Sequence, residues 1–263
     1  MKLGFIGCGN MATAIMKGMI GNGMAAAHEI IGADLSEQSL SKIKGELQIQ
    51  VTADNKEAAQ ADVLFLSVKP QFYETVISEI KEIVTKGQLI VTIAPGKTLE
   101  WLEKQFGRPL KIIRTMPNTP ALVGEGITAV CCNGNVTEED LNKAVSMLQS
   151  FGKCEVVPEH LMDVVTSVSG SSPAYVFMFI EAMADAAVAD GMPRNQAYKF
   201  AAQAVLGSAK MVLETGKHPG ELKDMVCSPG GTTIEAVRVL EEKGMRSAVF
   251  EAMKACTKKA KGM

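Results

Sequence analysis

The sequence predicts an α/β protein in which a doubly wound parallel sheet forms the N-terminal part and helices alone form the C-terminal part. Between residues 2 and 115, short runs rich in Val, Ile and Leu alternate with helical stretches, as in sheets covered on both faces. Beyond Pro158 no strand-like run occurs, and long Ala- and Met-rich stretches follow helical spacing. We therefore predict two domains, residues 1–160 and residues 161–263.

The elements of the N-terminal part follow from apolar runs of strand length separated by amphipathic stretches. The predicted strands are Lys2 to Ile6, Ile30 to Ala33, Gln48 to Val51, Val63 to Val68, Leu89 to Ile93 and Lys111 to Arg114, and the pattern continues with Gly126 to Cys131 and Lys153 to Val157. The predicted helices are Met11 to Met19, Gln38 to Lys44, Phe72 to Val84, Leu99 to Phe106 and one that begins at Thr137, which suits an N-cap.

The C-terminal part is predicted to contain long helices, among them Ala174 to Ala189 and Gln196 to Leu213. The stretch from Ser172 to Asp190 is apolar around most of its circumference, so as a helix it must be buried on nearly every side. We expect a second subunit to supply the other wall, which predicts a homodimer. Burial against the N-terminal domain is the alternative.

Composition narrows the class of partner. The 263 residues include 27 basic and 29 acidic ones, a formal net charge of -2, so no large field of one sign attracts nucleic acid or an anionic membrane. We find no run of about 18 apolar residues and no signal-peptide core, and we expect a cytoplasmic protein with a small-molecule partner. The six cysteines lack CxxC spacing, so we predict free thiols and no metal.

A glycine-rich turn follows the first predicted strand and opens the first predicted helix. Gly7 permits a tight turn, Gly9 lets backbone amides approach a pyrophosphate, and Ala12 is small enough for the helix to pack against the strand. The free N–H groups at the start of the helix suit phosphate oxygens. In this strand-turn-helix context the pattern predicts a dinucleotide-binding domain of the Rossmann type.

Asp34 ends the second predicted strand, where such domains place the group that meets the adenine ribose. A carboxylate there accepts a bond from a free 2'-hydroxyl and repels a 2'-phosphate, which favours NADH. Ser36, Lys42 and Lys56 are near enough in sequence to soften that preference. The predicted cofactor is therefore NADPH or NADH.

Further polar or stiff segments follow the predicted strands and interrupt the helices. Lys69 and Pro70 follow the fourth predicted strand, and Pro95 follows the fifth. The sixth strand is followed by a loop that prolines stiffen and that presents Asn118 and Thr119. In the helical part, the stretches from Ser169 to Pro173 and from Ser228 to Thr233 are polar and glycine-rich. Each leads into a helix, where it could act only as a cap or could seat a carboxylate.

Together these segments closely resemble pyrroline-5-carboxylate reductases, enzymes that reduce a cyclic imine to L-proline. The resemblance rests on GFIGCGNMA at the start, VKP at 68–70, RTMPNTP at 114–120, SGSSPAYVF at 169–177 and HPGELKDMVCSPGGTTIEAV at 218–237. It implies a Rossmann domain and a C-terminal all-α dimerisation domain that interlocks two subunits. Pro95 and Ser172 depart from the small residue and the Gly that are usual at those positions.

The resemblance also implies site residues. With the glycine-rich turn and Asp34, the predicted cofactor contacts are Ile6, Gly7, Cys8, Gly9, Asn10, Met11, Asp34, Asn55, Ser67, Val68, Lys69, Pro70, Ile93, Ala94 and Pro95. The predicted contacts to the substrate carboxylate and ring nitrogen are Ser228, Gly231, Thr232 and Thr233.

An imine accepts hydride better when it is protonated, so the site needs orientation and a hydrogen bond to the ring nitrogen more than a strong acid. Our hypothesis is that Thr233 supplies this bond while amides at the helix start hold the carboxylate. His218 precedes a Pro between helices, and we expect a structural role for it.

Two other functions are compatible with the domain plan. A β-hydroxyacid dehydrogenase would resemble a pattern with a Lys four residues after a helix-opening Gly, but Ala174 stands at that offset from Gly170. A noncatalytic NAD(P)-binding regulator would be expected to lack the polar cluster from Ser228 to Thr233, which is intact here.

Overall fold

The computed structural model describes residues 1–262, and its centre is an eight-stranded sheet of order β3-β2-β1-β4-β5-β6-β7-β8. All neighbouring strands are parallel except β6 and β7. The strands are β1 (Leu3–Ile6), β2 (Ile30–Ala33), β3 (Gln50–Thr52), β4 (Val63–Leu66), β5 (Leu89–Thr92), β6 (Lys111–Met116), β7 (Gly126–Cys132) and β8 (Gly152–Val156). Apolar side chains bury both faces of the sheet, which accounts for strands without polar alternation.

Helices connect the parallel strands and form the whole C-terminal part. Those of the N-terminal part are α1 (Asn10–Gly21), α2 (Glu37–Leu47), α3 (Asn55–Ala58), α4 (Tyr73–Ile80), α5 (Leu99–Phe106), α6 (Glu138–Leu148) and α7 (Met162–Val165). A π-helical turn, Thr166–Gly170, then leads to α8 (Ser172–Ala189), α9 (Arg194–Thr215), α10 (Pro219–Val226), α11 (Thr232–Glu242) and α12 (Met245–Lys261). Short 3-10 turns occur at Ala27–Glu29, Pro70–Phe72, Thr119–Val123, Gln149–Phe151 and Glu159–Leu161.

The α/β class and the mainly helical C-terminal part are confirmed, and several boundaries need correction. The third strand begins later than predicted, because Gln48 has a φ of 56° and caps α2 in the left-handed conformation. The sixth strand continues to Met116. The connection from β6 to β7 is a 3-10 turn too short for a parallel crossover, so β7 runs antiparallel.

The described chain divides into two compact units. One comprises Met1–Ser171 together with the C-terminal end from Cys256, and the other comprises Ser172–Ala255. The predicted boundary at residue 160 therefore precedes the division at Ser171. The first unit holds the sheet, α1 to α7 and the π-helical turn, whereas the second holds α8 to α11 and most of α12.

One helical stretch, Glu159–Ala189, is long and apolar enough to cross a membrane by length and composition. Scattered polar residues interrupt the stretch, so it holds no unbroken run of about 18 apolar residues although its mean hydropathy reaches 1.2. One such helix is weak evidence for a membrane span, because core helices of soluble proteins meet the same criterion.

Candidate active site

The glycine-rich turn lies at the carboxyl edge of the sheet, the edge at which the parallel strands β1 to β6 end. Gly7 has a φ of 95°, and a Cβ there would lie 2.8 Å from the carbonyl carbon of Ser67. Only glycine fits this left-handed, crowded position. Gly9 is the N-cap of α1 in an extended conformation, without a side-chain cap, and a Cβ there would have no atom within 4 Å. The turn is therefore open above Gly9, as an approaching phosphate requires.

Asp34 sits beside this turn, at the end of β2. Its carboxylate accepts hydrogen bonds from the backbone N–H groups of Cys8, at 2.7 Å, and Ser36, at 2.9 Å. Burial and then the Asp34 carboxylate raise the pKa of Cys8 to about 12, so this thiol stays protonated at neutral pH. These hydrogen bonds hold the negatively charged Asp34 carboxylate next to the glycine-rich turn. The Cys8 sulfur is buried against the end of β2, 3.6 Å from the carbonyl oxygen of Ala33.

The ends of β4, β5 and β6 continue the same edge. The Ser67 hydroxyl lies 3.0 Å from the carbonyl oxygen of Ile6 and 2.7 Å from that of Gly7, which joins the end of β4 to the glycine turn. Thr115 donates to the carbonyl oxygen of Thr92 at 2.8 Å, which joins β6 to β5. The structure thus brings together the predicted residues at positions 6–11, 67–70 and 93–95, because β1, β4 and β5 are neighbours.

Asn55 begins α3, immediately after its N-cap Asp54. The side chain is buried and its Nδ2 donates to Oε2 of Glu79 at 2.7 Å. Asn55 follows β3, so it lies at the carboxyl edge of the sheet beyond Asp34. The partner Glu79 comes from α4 and could not be inferred from the chain, since 24 residues separate the two.

The four predicted substrate contacts lie together in the second unit, at the start of α11. Gly231 is the N-cap in an extended conformation, with no side-chain cap, and its N–H donates to the carbonyl oxygen of Ser228 at 3.1 Å. A Cβ at Gly231 would collide with the Ser228 hydroxyl, so a larger residue there would require the Ser228 side chain to move. Ser228 and Thr232 are exposed, and Thr233 is half-buried. These hydroxyls and helix-start amides form a compact polar group suited to a carboxylate.

His218 and the cysteines, the other candidate reactive groups, have different roles. His218 Nδ1 accepts the N–H of Gly220 at 3.0 Å as the N-cap of α10, in keeping with the expected structural role. All six cysteines are free, Cys8 and Cys131 being buried and the others half-buried. Within residues 1–262 no group of three His, Cys, Asp or Glu side chains could hold a metal ion.

Sequence reasoning missed a buried ion-pair cluster behind the edge. Arg114 of β6 pairs with Glu159 at 3.0 Å and lies 3.7 Å from Asp163, and its own side chain is only 6% exposed. Glu159 also accepts the backbone N–H of Leu99 at 2.7 Å. A charged residue inside an apolar strand was the signal for a buried partner, but the sequence does not say which carboxylates approach it.

Comparison with known proteins accounts for both parts of the chain. Residues 2–96 match the family described as NADP oxidoreductase coenzyme F420-dependent, and residues 159–263 match the family described as pyrroline-5-carboxylate reductase dimerisation. A pyrroline-5-carboxylate reductase of Escherichia coli (strain K12) is 56% identical over 260 residues, covering 98% of this chain and 97% of the relative.

Solved structures agree. A pyrroline-5-carboxylate reductase from Coxiella burnetii superposes with a TM-score of 0.89 at 37% identity, covering 98% of this chain and 96% of that one. A pyrroline carboxylate reductase of Plasmodium falciparum with NADP bound superposes with a TM-score of 0.91 at 32% identity, covering 99% and 97%. The chain belongs to the pyrroline-5-carboxylate reductase family.

Proposed function

We propose that the protein reduces 1-pyrroline-5-carboxylate to L-proline with hydride from NADPH or NADH, the last step of proline biosynthesis. The observation that carries the proposal is that one chain combines an open glycine turn at the carboxyl edge with a polar helix start at α11. The family relatives support the same activity. The alternatives, a β-hydroxyacid dehydrogenase and a noncatalytic regulator, have no comparable support.

The N-terminal domain, residues 1–160, binds the cofactor in this proposal. The uncapped amides after Gly9 take the pyrophosphate, and Asp34 and Asn55 meet the adenine ribose. Residues 67–70 and 93–95 line the nicotinamide half. Once bound, the nicotinamide cofactor supplies the hydride.

The helical domain, residues 161–263, provides substrate binding and dimerisation. The helix-start amides that follow Gly231, with the Ser228 hydroxyl, hold the substrate carboxylate, and the Thr233 hydroxyl donates to the ring nitrogen. The C=N bond then gains a hydride at carbon from the nicotinamide cofactor and a proton at nitrogen from solvent water, which gives the secondary amine. Thr233 contributes orientation and polarisation rather than strong acid catalysis.

A second copy of the chain completes the helical domain. Of the 18 residues of α8, only Ala184 is buried within the single chain. The exposed apolar side chains of this helix include Val176, Phe177, Met178, Phe179 and Met183. Such a contiguous apolar surface marks an interaction site, and the match to a dimerisation family supports a homodimer. Burial between subunits also favours a cytoplasmic protein over a membrane-spanning one.

The test is reduction of 1-pyrroline-5-carboxylate by the purified protein, followed as absorbance loss of NADPH or NADH. The Thr233→Ala variant should lower kcat/KM by about a hundredfold, the size typical of a lost hydrogen-bond donor to developing charge. Thr215→Ala is the control, because the Thr215 hydroxyl bonds only to nearby backbone, donating to the Met211 carbonyl oxygen and accepting the Lys217 N–H. Unchanged kcat and KM in Thr233→Ala would contradict the assignment, and a wild-type protein inactive with both cofactors would contradict the function.

A further inference from the structure

Three residues at or just beyond the end of β6 contact the same segment of the chain, residues 159–170. Arg114, Met116 and Asn118 alternate in extended backbone, so their side chains point to one face. Arg114 pairs with the carboxylates of Glu159 and Asp163. Met116 Cε would lie 2.8 Å from a Cβ built on Gly170, so this glycine permits close packing.

Asn118 makes the most directed of these contacts. Its Nδ2 donates to the carbonyl oxygen of Ser169 at 3.1 Å, and its Oδ1 accepts the N–H of Ile127 at 2.9 Å. Asn118 is only 7% exposed. Because backbone groups hold both ends of the buried amide, the side chain is kept in one orientation.

Ser169 belongs to the π-helical turn Thr166–Gly170. The Ser171 N–H reaches back to the carbonyl oxygen of Thr166 at 2.9 Å, the wider spacing that defines such a turn. Single π-helical turns cost regular helix bonding and are frequent at functional sites. Thr257 and Cys256 at the end of α12 hold the same turn, through contacts of 2.9 Å to the Ser167 hydroxyl and 3.3 Å to the Ser171 hydroxyl.

The turn lies beside the nicotinamide half of the proposed cofactor site. β6 is the immediate neighbour of β5, and the Thr115 bond to the Thr92 carbonyl joins the two at their carboxyl ends. Ile93 to Pro95 follow β5, and Asn118 follows β6 at the same edge. The turn held by Asn118 therefore lies at the end of the edge where hydride transfer takes place in the proposed function.

We infer that Asn118 is a positioning residue of the reductase, which fixes the turn Thr166–Gly170 and the following Ser171 at the nicotinamide end of the site. The inference rests on the proposed function. Asn118 acts through the Ser169 carbonyl rather than by touching the reacting atoms. When the turn is less firmly held, the imine is less well oriented for hydride transfer. The distant pyrophosphate contacts are retained.

The experiment compares two buried asparagines. Asn133 is the matched control, since it is 8% exposed and also bridges backbone groups, accepting the Ile112 N–H at 3.2 Å and donating to the Leu110 carbonyl oxygen at 2.9 Å. It makes one further bond, to Oε1 of Glu103 at 2.7 Å. It lies at the opposite edge of the sheet, where β6 begins. Asn133→Ala should lose at least as much thermal stability as Asn118→Ala, but only Asn118→Ala should lower kcat/KM for the imine, by about ten- to hundredfold. The Kd for NADPH should change by less than about twofold in either variant.

A second variant isolates the bond to the turn. In Asn118→Asp the carboxylate can still accept the Ile127 N–H, but it cannot donate to the Ser169 carbonyl oxygen. It should show the kinetic defect of Asn118→Ala. Equal kinetic losses in the Asn118 and Asn133 variants would mean a merely structural role, and wild-type kinetics in Asn118→Ala would overturn the inference.

A readout independent of turnover separates this inference from the proposed function. Amide hydrogen exchange of the wild-type protein and both alanine variants should show faster exchange at residues 166–171 in Asn118→Ala alone. If the wild-type protein does not reduce the imine, the proposed function fails while the exchange result still decides whether Asn118 holds the turn. Unchanged exchange in Asn118→Ala would overturn the positioning role.

Discussion

The two compact units of this chain differ in how far each completes its own core. The first unit buries two layers of apolar side chains, one against each face of the sheet. In the second unit the buried apolar residues are only Ala184, Ala197, Ala201 and Leu222. Its helices instead expose large side chains such as Phe177, Phe200 and Leu213.

The difference shows that apolar side chains can either complete a core within one chain or favour association between chains. In the first unit, helices from the same chain cover the strands, so the apolar surface is removed from water within one chain. In the second unit the helices are too few to cover one another, and the hydrophobic effect favours association with another copy. The second unit also contains a groove whose apolar lining residues are Val237, Leu240, Met245, Val249, Phe250 and Met253.

The largest expected effect comes from breaking that association. Replacing Phe177 and Met178, which are 60% and 67% exposed, by Asp in one double variant should convert the oligomer to monomer. Charges in an apolar interface leave buried carboxylates unpaired. Analytical ultracentrifugation should show the change, and reductase activity should fall to less than about a tenth, by more than 1.4 kcal/mol of transition-state stabilisation.

The control for this variant is an exposed apolar residue of the completed unit. Val156 of the edge strand β8 is 57% exposed, and Val156→Asp should leave the sedimentation coefficient unchanged. If the double variant remained oligomeric, the α8 surface would not be the interface.

A smaller effect is expected from the glycine turn of the first unit, where two neighbouring glycines serve different needs. Gly7→Ala places a side chain at a φ of 95° and within 2.8 Å of the Ser67 backbone, and it should lower the free energy of unfolding by about 1–3 kcal/mol. Gly9→Ala meets no atom within 4 Å and should keep wild-type stability while weakening NADPH binding. Thermal unfolding and a cofactor titration measure the two effects, and equal stability losses would contradict the distinction.

The smallest effect concerns the choice of cofactor. Asp34→Asn removes the charge beside the turn while keeping a side-chain oxygen that can accept the Cys8 N–H. The ratio of kcat/KM for NADPH to that for NADH should rise by about tenfold, or about 1.4 kcal/mol. Asp62→Asn is the matched control, because its carboxylate accepts the Lys2 N–H at the amino end of the sheet. An equal ratio in both variants would mean that Asp34 only braces the loop.

Much of the fold followed from local pattern. The strands with unbroken Val, Ile and Leu runs were predicted within a few residues, since burial on both faces demands that composition. An error at β3 has a local cause, because Gln48 caps α2 in the left-handed conformation and so displaces the start of the strand. Of the site, the glycine turn was predictable because its chemistry is contained in consecutive residues. The ties from Asp34 to Cys8 and from Asn118 to Ser169 were not, since each joins residues far apart in the chain.

The sequence by itself determined the α/β class, the dinucleotide turn from Gly7 to Ala12 and the polar helix start from Ser228 to Thr233, because each depends on composition or on adjacent residues. Only the tertiary structure decided the antiparallel β7, the Arg114 ion pairs and the π-helical turn held by Asn118. Those features depend on which distant backbone and side-chain groups meet. Strand order and helix packing set such meetings, and hydrogen-bonding types along the chain do not specify them.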